Sequence, residues 1–310
     1  MRFGVAIAPE RPDETVELAR RAEQLGLDWF GVADSPLYGD CFSHLCLAGA
    51  ATTEIHLGSV VTSPVGRHPA LLAAGARTVS AVAPGRVRLA IGSGNSAARG
   101  LGVSPASFDE VVAAAELVRA SVERGDVRVL VAADGPRGAR AACGSGDGWL
   151  LGAGFDQAAR HELLEQVDGL PRRAGWDWWL SGTSSLAHAP DEVMEDVGEL
   201  VVAMGNRALR ADRRPGRFPA HLHEAVEAMN RGYDYAAHAV LGSTRNTRLL
   251  TPALRDFLLD RLCLWGDADR WARSISEMQA DGVVGVILFL GAADRRAELE
   301  RLGERIAVLA

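Results

Sequence analysis

The chain contains no lysine, so all 33 of its basic residues are arginines. Without a lysine amine, a mechanism that passes through a lysine Schiff base is excluded. The 40 acidic residues outnumber the arginines and give a formal net charge of −7 over 310 residues. We therefore expect no nucleic-acid partner and no binding to an anionic membrane surface.

Cysteine is also scarce, and the four cysteines are too widely spaced for a CxxC pair or a zinc-finger pattern. We interpret them as buried, reduced thiols and expect no metal site. The amino-terminal stretch MRFGVAIAPE shows no signal-peptide pattern, and we expect a cytoplasmic protein. No uncharged apolar run reaches the roughly 18 residues that a membrane helix needs.

Short apolar runs alternate with amphipathic stretches along the whole chain. Eight runs, from RFGVAIA to DGVVGVILFLG, are typical of strands, and each is followed by a stretch typical of a helix. This alternation predicts a (β/α)8 TIM barrel over residues 1–310, with a helical insertion at approximately 191–261 before the last strand. A doubly wound open sheet is the alternative, but ERPDET after the first strand is not the glycine-rich turn it usually has.

In such a barrel the functional site lies at the carboxyl ends of the strands. After the fourth strand, IGSGNSAARGLG would let the backbone approach a ligand closely. After the fifth, VAADGPRGARAA places Gly135, Pro136 and Arg137 at a helix start, which indicates either a phosphate site or a solvated helix end. The negative charge of Asp134 would repel a phosphate there unless its carboxylate points away.

Three residues are candidates for acid–base chemistry. Asp34 ends the second strand and could cap the next helix or act as an acid or base. Tyr235 and His238 lie three positions apart, where they could line a pocket or simply pack. No Ser-His-Asp order, Walker pattern or metal triad stands out. The residues alone predict a barrel with a phosphate-bearing ligand.

Long stretches of the chain, in order, also resemble a known family. They include GLDWFGVADSPLYGD, IHLGSVVTSPVGRHPALLAAGARTVSAVAPGRVRLAIGSGNSAARGLG and LWGDADRWARSISEMQADGVVGVIL. They resemble the bacterial-luciferase-like superfamily, and most closely the branch that uses the deazaflavin coenzyme F420 and includes methylenetetrahydromethanopterin reductases. The resemblance implies an F420-dependent oxidoreductase that moves a hydride between the deazaflavin and a small organic substrate. The alternatives are an FMN-dependent monooxygenase and a cofactor-binding protein without turnover.

The resemblance also implies site residues. It places a non-prolyl cis peptide at Val60–Val61 against the deazaflavin ring and the coenzyme phosphate near the GPRG turn. Asp34 becomes the candidate for the proton route, with His238 and Tyr235 as helpers. The expected cofactor contacts are Ser35, Val60, Val61, Thr62, Ser93, Gly94, Asn95, Ala133, Gly135, Pro136, Arg137, Gly138 and Gly152.

Two positions depart from the family pattern. Ser35 stands where many relatives have histidine, and Asn95 stands where relatives usually have aspartate or glutamate. An obvious proton donor is therefore missing at both places. Relatives often have a longer segment between the helix after the fourth strand and the fifth strand, where this chain has only RGDVR. We therefore expect a more open pocket or a different lid. We also expect a small-molecule substrate and a homodimer.

Overall fold

The computed structural model describes residues 1–123, 125–152, 154–211, 218–238, 240 and 243–309, and the fold is stated for those residues. Eight of the described strands form a closed parallel barrel surrounded by helices. The predicted (β/α)8 TIM barrel is therefore confirmed. The strands are β1 (Arg2–Ile7), β2 (Trp29–Val32), β3 (His56–Ser59), β4 (Val87–Ile91), β5 (Val127–Ala132), β6 (Gly148–Leu151), β7 (Asp177–Ser184), β8 (Cys263–Leu264) and β9 (Gly285–Phe289).

The barrel closes between the first and last strands. β1 pairs with both β2 and β9, and β7 pairs with both β6 and β9. β8 contributes two residues that pair with the end of β7 and lies outside the closed ring. Two residues are too few to produce an alternating pattern, so the sequence gives no signal for β8.

Helices follow the strands as the alternation predicts. They are α1 (Pro12–Gln24), α2 (Cys41–Ala51), α3 (Pro69–Val82), α4 (Asn95–Gly100), α5 (Phe108–Ala120), α6 (Pro136–Ser145), α7 (Gln157–Glu165), α8 (Pro190–Ala211), α9 (His223–Gly232), α10 (Pro252–Leu262), α11 (Ala268–Ala280) and α12 (Arg295–Leu309). Among the described residues, none of these helices combines the length and apolar content that a membrane span requires.

One helix corrects the sequence prediction. α4 lies inside the glycine-rich stretch after β4, which we expect from the sequence to be a loop. The chain leaves β4 through Gly94, whose φ of +67° suits glycine far better than other residues. The left-handed conformation of Gly94 starts a short helix in a stretch whose composition would also suit a loop.

Tryptophans show how side chains divide between the barrel interior and the outer layer. The ring of Trp179 points inward and meets Trp29 edge-on at 5.2 Å, whereas Trp178 points outward and stacks on Trp149 at 5.5 Å. All four rings are buried. Trp29 begins β2 and Trp179 faces the start of β9, so these rings fill the amino-terminal end of the barrel. The carboxyl ends of the strands are left for a ligand.

Helices α8, α9 and α10 form an apolar cluster distinct from the one beneath the other helices. Val201 from α8, Met229 from α9 and Leu258 from α10 are fully buried in it, and Phe289 at the end of β9 packs against it. These helices lie between β7 and β9, within the stretch that the sequence predicts as an insertion. Residues 212–217, 239, 241 and 242 of that stretch lie outside the described residues. The division into one domain with an insertion stays a prediction.

Candidate functional site

A cavity of about 530 Å³ opens at the carboxyl ends of the strands. This volume is typical of small-molecule and cofactor sites, which range over about 300–1,000 Å³. Apolar residues from the barrel interior, including Val60, Leu150 and Phe289, contribute to its wall. The turns after β2, β4, β5 and β6 contribute polar groups, and α8 adds Leu200 and Met204.

Most of the residues predicted from the sequence meet at this cavity. Those that line it are Asp34, Ser35, Val60, Val61, Ser93, Gly94, Asn95, Ala133, Gly135, Pro136, Arg137, Gly138, Gly152 and His238. Two predicted residues lie one layer behind. Thr62 is fully buried and donates a hydrogen bond to Asp34, and Tyr235 packs against the ring of His238.

The end of the third strand forms part of the wall. The Val60–Val61 peptide bond is cis, as the family resemblance implies. Beyond it, Thr62 resumes pairing with the fourth strand. Its N–H donates to the carbonyl of Ala90 at 2.9 Å, and its carbonyl accepts from the N–H of Gly92 at 2.9 Å. Val60 and Val61 are thus held between two paired segments at the bottom of the cavity.

Asp34 is tied to the loop that follows this wall. One carboxylate oxygen accepts from Thr62 Oγ1 at 2.5 Å and from Arg67 Nε at 2.9 Å, and the other accepts from Arg67 Nη2 at 3.2 Å. Arg67 also binds Asp40. Burial opposes the charge of Arg67, but its hydrogen bonds to these two carboxylates outweigh burial and raise its pKa. In this arrangement Asp34 is an acceptor at both oxygens.

The turn from β5 into α6 presents backbone donors to the cavity. The first N–H groups of α6, as of any helix, have no intrahelical partner, and Gly135 at the helix start has no side chain that could cap them. Gly138 lets this helix start pack closely, because a Cβ there would lie 2.5 Å from the ring of Phe108. Arg137 makes no hydrogen bond or ion pair with any described residue and is exposed at the cavity edge. These features fit an anionic group of a ligand.

Asp134 does not point at that anion position. Its Oδ1 accepts a hydrogen bond from the N–H of Gly152 at 2.7 Å, and its Oδ2 lies 3.2 Å from Nε of Arg207. Nη2 of Arg207 donates to the carbonyl of Gly152 at 2.7 Å. These contacts form a closed ring, which we call the Arg207 clamp, joining the ends of β5 and β6 to α8. The charge of Asp134 is thereby paired with a cation.

His238 lies against a tyrosine pair on the cavity wall. Its Nδ1 is 2.6 Å from the hydroxyl of Tyr233, and its ring stacks near Tyr235. Burial, with a smaller effect from the charge of Arg207, lowers the pKa of His238 to about 4. The imidazole is therefore neutral at physiological pH. Tyr235 is not among the residues that line the cavity, and its hydroxyl accepts a hydrogen bond from Nδ2 of Asn206 at 3.3 Å.

Sequence reasoning missed several lining residues because they reach the cavity from distant helices, or because only the turn that holds them, and not the residue itself, was singled out. Tyr38 lies in the turn after β2, and burial raises the pKa of its phenol. Of the five arginines that line the cavity, sequence reasoning named one. The five are Arg99, Arg137, Arg207, Arg210 and Arg295, and the one named from the sequence is Arg137. Among the described residues, no cluster of three or more histidine, cysteine, aspartate or glutamate side chains could hold a metal ion.

Comparisons with known proteins identify the family of this chain. The family description "luciferase-like monooxygenase" matches residues 1–120 and 107–285, which together cover most of the chain. The chain belongs to the luciferase-like monooxygenase family. An F420-dependent glucose-6-phosphate dehydrogenase from Intrasporangium calvum is 33% identical over 205 residues, covering 52% of this chain and 60% of that protein.

Solved structures share the fold along nearly the whole chain. The coenzyme F420-dependent tetrahydromethanopterin reductase from Methanopyrus kandleri superposes with a TM-score of 0.70 at 16% identity, covering 100% of this chain and 99% of that one. A type II Baeyer-Villiger monooxygenase from Pseudomonas putida, in complex with FMN, gives 0.57 at 16% identity, with 98% and 96% covered. These likenesses establish the fold. The chain spans less than two thirds of the length of the curated relatives it matches.

Proposed function

We propose that this luciferase-like protein is an F420-dependent oxidoreductase acting on a small organic molecule. The observation that carries the proposal is the cavity itself, which places an apolar wall beside an anion-binding edge. Val60, Val61 and Leu150 offer a surface for a planar ring, and the uncapped start of α6 with Arg137 offers donors for a phosphate. Sequence likeness to an F420-dependent dehydrogenase supports the choice of cofactor.

The residues present fit a deazaflavin with a phosphate-bearing side chain. When bound, reduced F420 would supply a hydride to a carbon of a C=N or C=C bond, and oxidised F420 would accept a hydride in the reverse direction. The protein's part is to orient the ring, to exclude water and to give a route to the one proton that completes the reduction. Leu200 and Met204 of α8 add apolar side chains to the lining of the cavity and would help to keep water from the reacting atoms.

Two predicted residues differ in how well their contacts suit the proton route. Asp34 accepts three hydrogen bonds from Thr62 and Arg67, which favours a role in holding the wall of the cavity. Burial raises the pKa of Tyr233, so its hydroxyl stays protonated and can donate to Nδ1 of His238. The neutral imidazole then carries its hydrogen on Nε2. We propose that His238 donates a hydrogen bond from this N–H to the reacting group of a ligand, and Asp34 remains the alternative candidate for the proton route.

Optical titration tests the cofactor directly. Purified protein is titrated with F420 and, separately, with FMN, and binding is followed by difference spectra. We expect saturable binding of F420 and weaker binding of FMN. Tighter binding of FMN would favour a monooxygenase of the same family, which the FMN-bound structural relative also represents. Binding of neither compound would contradict the proposal.

A further inference from the structure

Arg207 has hydrogen-bond donors to spare. A guanidinium carries five N–H groups, and the Arg207 clamp engages Nη2 and the Nε side. In the part of the chain that the structure describes, Nη1 has no hydrogen-bond partner. The side chain is 30% exposed and lines the cavity. Its remaining donors are therefore available to a ligand.

The clamp also removes the objection that Asp134 raises against an anion. Both carboxylate oxygens of Asp134 are engaged, one by the backbone of Gly152 and one by Arg207. A charged ligand group entering the cavity, which Asp134 also lines, would meet the guanidinium while the Asp134 carboxylate is already paired with Gly152 and Arg207. Because the guanidinium is fixed before a ligand arrives, less side-chain freedom is lost on binding.

Gly152 is the residue that permits this geometry. A Cβ at this position would lie 2.3 Å from Nη2 of Arg207 and 3.0 Å from Oδ1 of Asp134. Any side chain at 152 would push the guanidinium away from the ends of β5 and β6. The position of Arg207 therefore depends on a glycine in a different element.

We propose that Arg207 is a specificity-determining residue of the cavity, which binds the phosphate or carboxylate group of a ligand while the Arg207 clamp orients it. The identity of the ligand that carries this anionic group rests on the proposed function, whereas the role of Arg207 in binding an anion does not. The anion could be the phosphate of the cofactor or a charged group of the substrate. A planar guanidinium suits either, because both offer two oxygens to parallel N–H groups.

The test uses Arg207→Gln, Arg207→Lys and a matched control, Arg140→Gln. Arg140 lies on the neighbouring helix α6, is exposed and donates to Gln166 at 3.0 Å, so its substitution changes the net charge equally away from the cavity. Fluorescence titration measures binding of F420 and of a deazaflavin that lacks the phosphate and tail. Calorimetry measures binding of inorganic phosphate to the free and F420-loaded protein.

We expect Arg207→Gln to weaken binding of F420 or of inorganic phosphate about 10- to 100-fold, the range for losing a charge-assisted hydrogen bond. Arg207→Lys keeps the charge and should lose less, and Arg140→Gln should bind like the unaltered protein. If the anion is the cofactor phosphate, Arg207→Gln weakens F420 but not the phosphate-free deazaflavin. If it belongs to the substrate, F420 affinity is unchanged and phosphate binding to the loaded protein is lost.

The proposal would be overturned if Arg207→Gln bound every probe as tightly as the unaltered protein. It would also be overturned if the unaltered protein bound neither inorganic phosphate nor F420 more tightly than the phosphate-free deazaflavin. If Arg207→Gln does not fold, Gly152→Ala displaces the guanidinium without removing its charge and should weaken the same probe. The outcome remains separable from the proposed function. A protein that binds neither F420 nor FMN refutes that function, and phosphate calorimetry then decides the role of Arg207.

Discussion

Replacing Asp34 by asparagine separates a structural role for this residue from a catalytic one. The carboxylate is 11% exposed and Arg67 is 24% exposed, so water screens their interaction only in part. An asparagine keeps one acceptor oxygen but turns an amide N–H₂ toward donors of Arg67 or Thr62. The substitution therefore removes the ion pair and sets donors against each other.

The expected loss follows from these contacts. A hydrogen bond to a charged group contributes about 1.5–3 kcal/mol, and breaking a fully buried ion pair costs about 3–5 kcal/mol. Arg67 retains its contact with Asp40, which reduces the loss. We expect Asp34→Asn to lower the free energy of unfolding by about 2 kcal/mol.

Urea denaturation of Asp34→Asn, Arg67→Gln and the double variant measures this loss and the coupling between the two residues. Asp256→Asn is the control, because Asp256 is 53% exposed in its pair with Arg255 and should change stability by less than about 0.5 kcal/mol. An Asp34→Asn protein as stable as the unaltered one would refute the structural role. A turnover loss of roughly 100-fold with unchanged stability and F420 affinity would instead show the general acid that the sequence suggests.

Three further variants test other parts of the site and the barrel. Arg137→Glu should weaken F420 binding about tenfold or more in spectral titration, because a like charge would meet the phosphate; unchanged affinity would place the phosphate elsewhere. Folding lowers the pKa of His238 from 6.5 to about 4, so the stability that its neutral form contributes is present above pH 6.5 and is lost as the pH falls toward 4. His238→Gln should therefore flatten the pH dependence of the urea midpoint between these two pH values. Gly58→Ala should lower the free energy of unfolding by more than about 3 kcal/mol or prevent folding, because the added Cβ would lie 1.4 Å from the carbonyl oxygen of Arg88. Gly66→Ala is the control: its added Cβ would have no atom within 4 Å, so its thermal melt should be nearly unchanged.

The barrel could be predicted because its signal is local and repeated. Each strand-helix unit carries its own change from a buried run to an amphipathic stretch, and parallel pairing follows from the connections. The turns after the strands could be predicted as the site for the same reason. α4 could not, because its start depends on the backbone conformation of Gly94, and the short pairing of β8 depends on where β7 ends.

Long-range placement decides what the local pattern leaves open. The sequence places Asp34 at a strand end, but only the fold brings Arg67 from the next loop to both of its oxygens. In the same way, Arg207 lies 73 positions after Asp134 in the chain, on a helix whose polar and apolar pattern says nothing about its partner. Side chains supplied by α8 were therefore beyond the reach of motif reasoning.

Asp134 shows why this matters for function. In the motif VAADGPRGARAA its charge counts against a phosphate at the start of α6. In the fold both of its oxygens are taken up by Gly152 and Arg207, so the same carboxylate holds a cation at the cavity wall. Removing the carboxylate would leave Arg207 with one fewer fixed contact, although it would also remove a negative charge. The effect of a charged residue on ligand binding thus depends on where its partner holds it, and the presence of an acidic residue in a motif does not by itself exclude an anion.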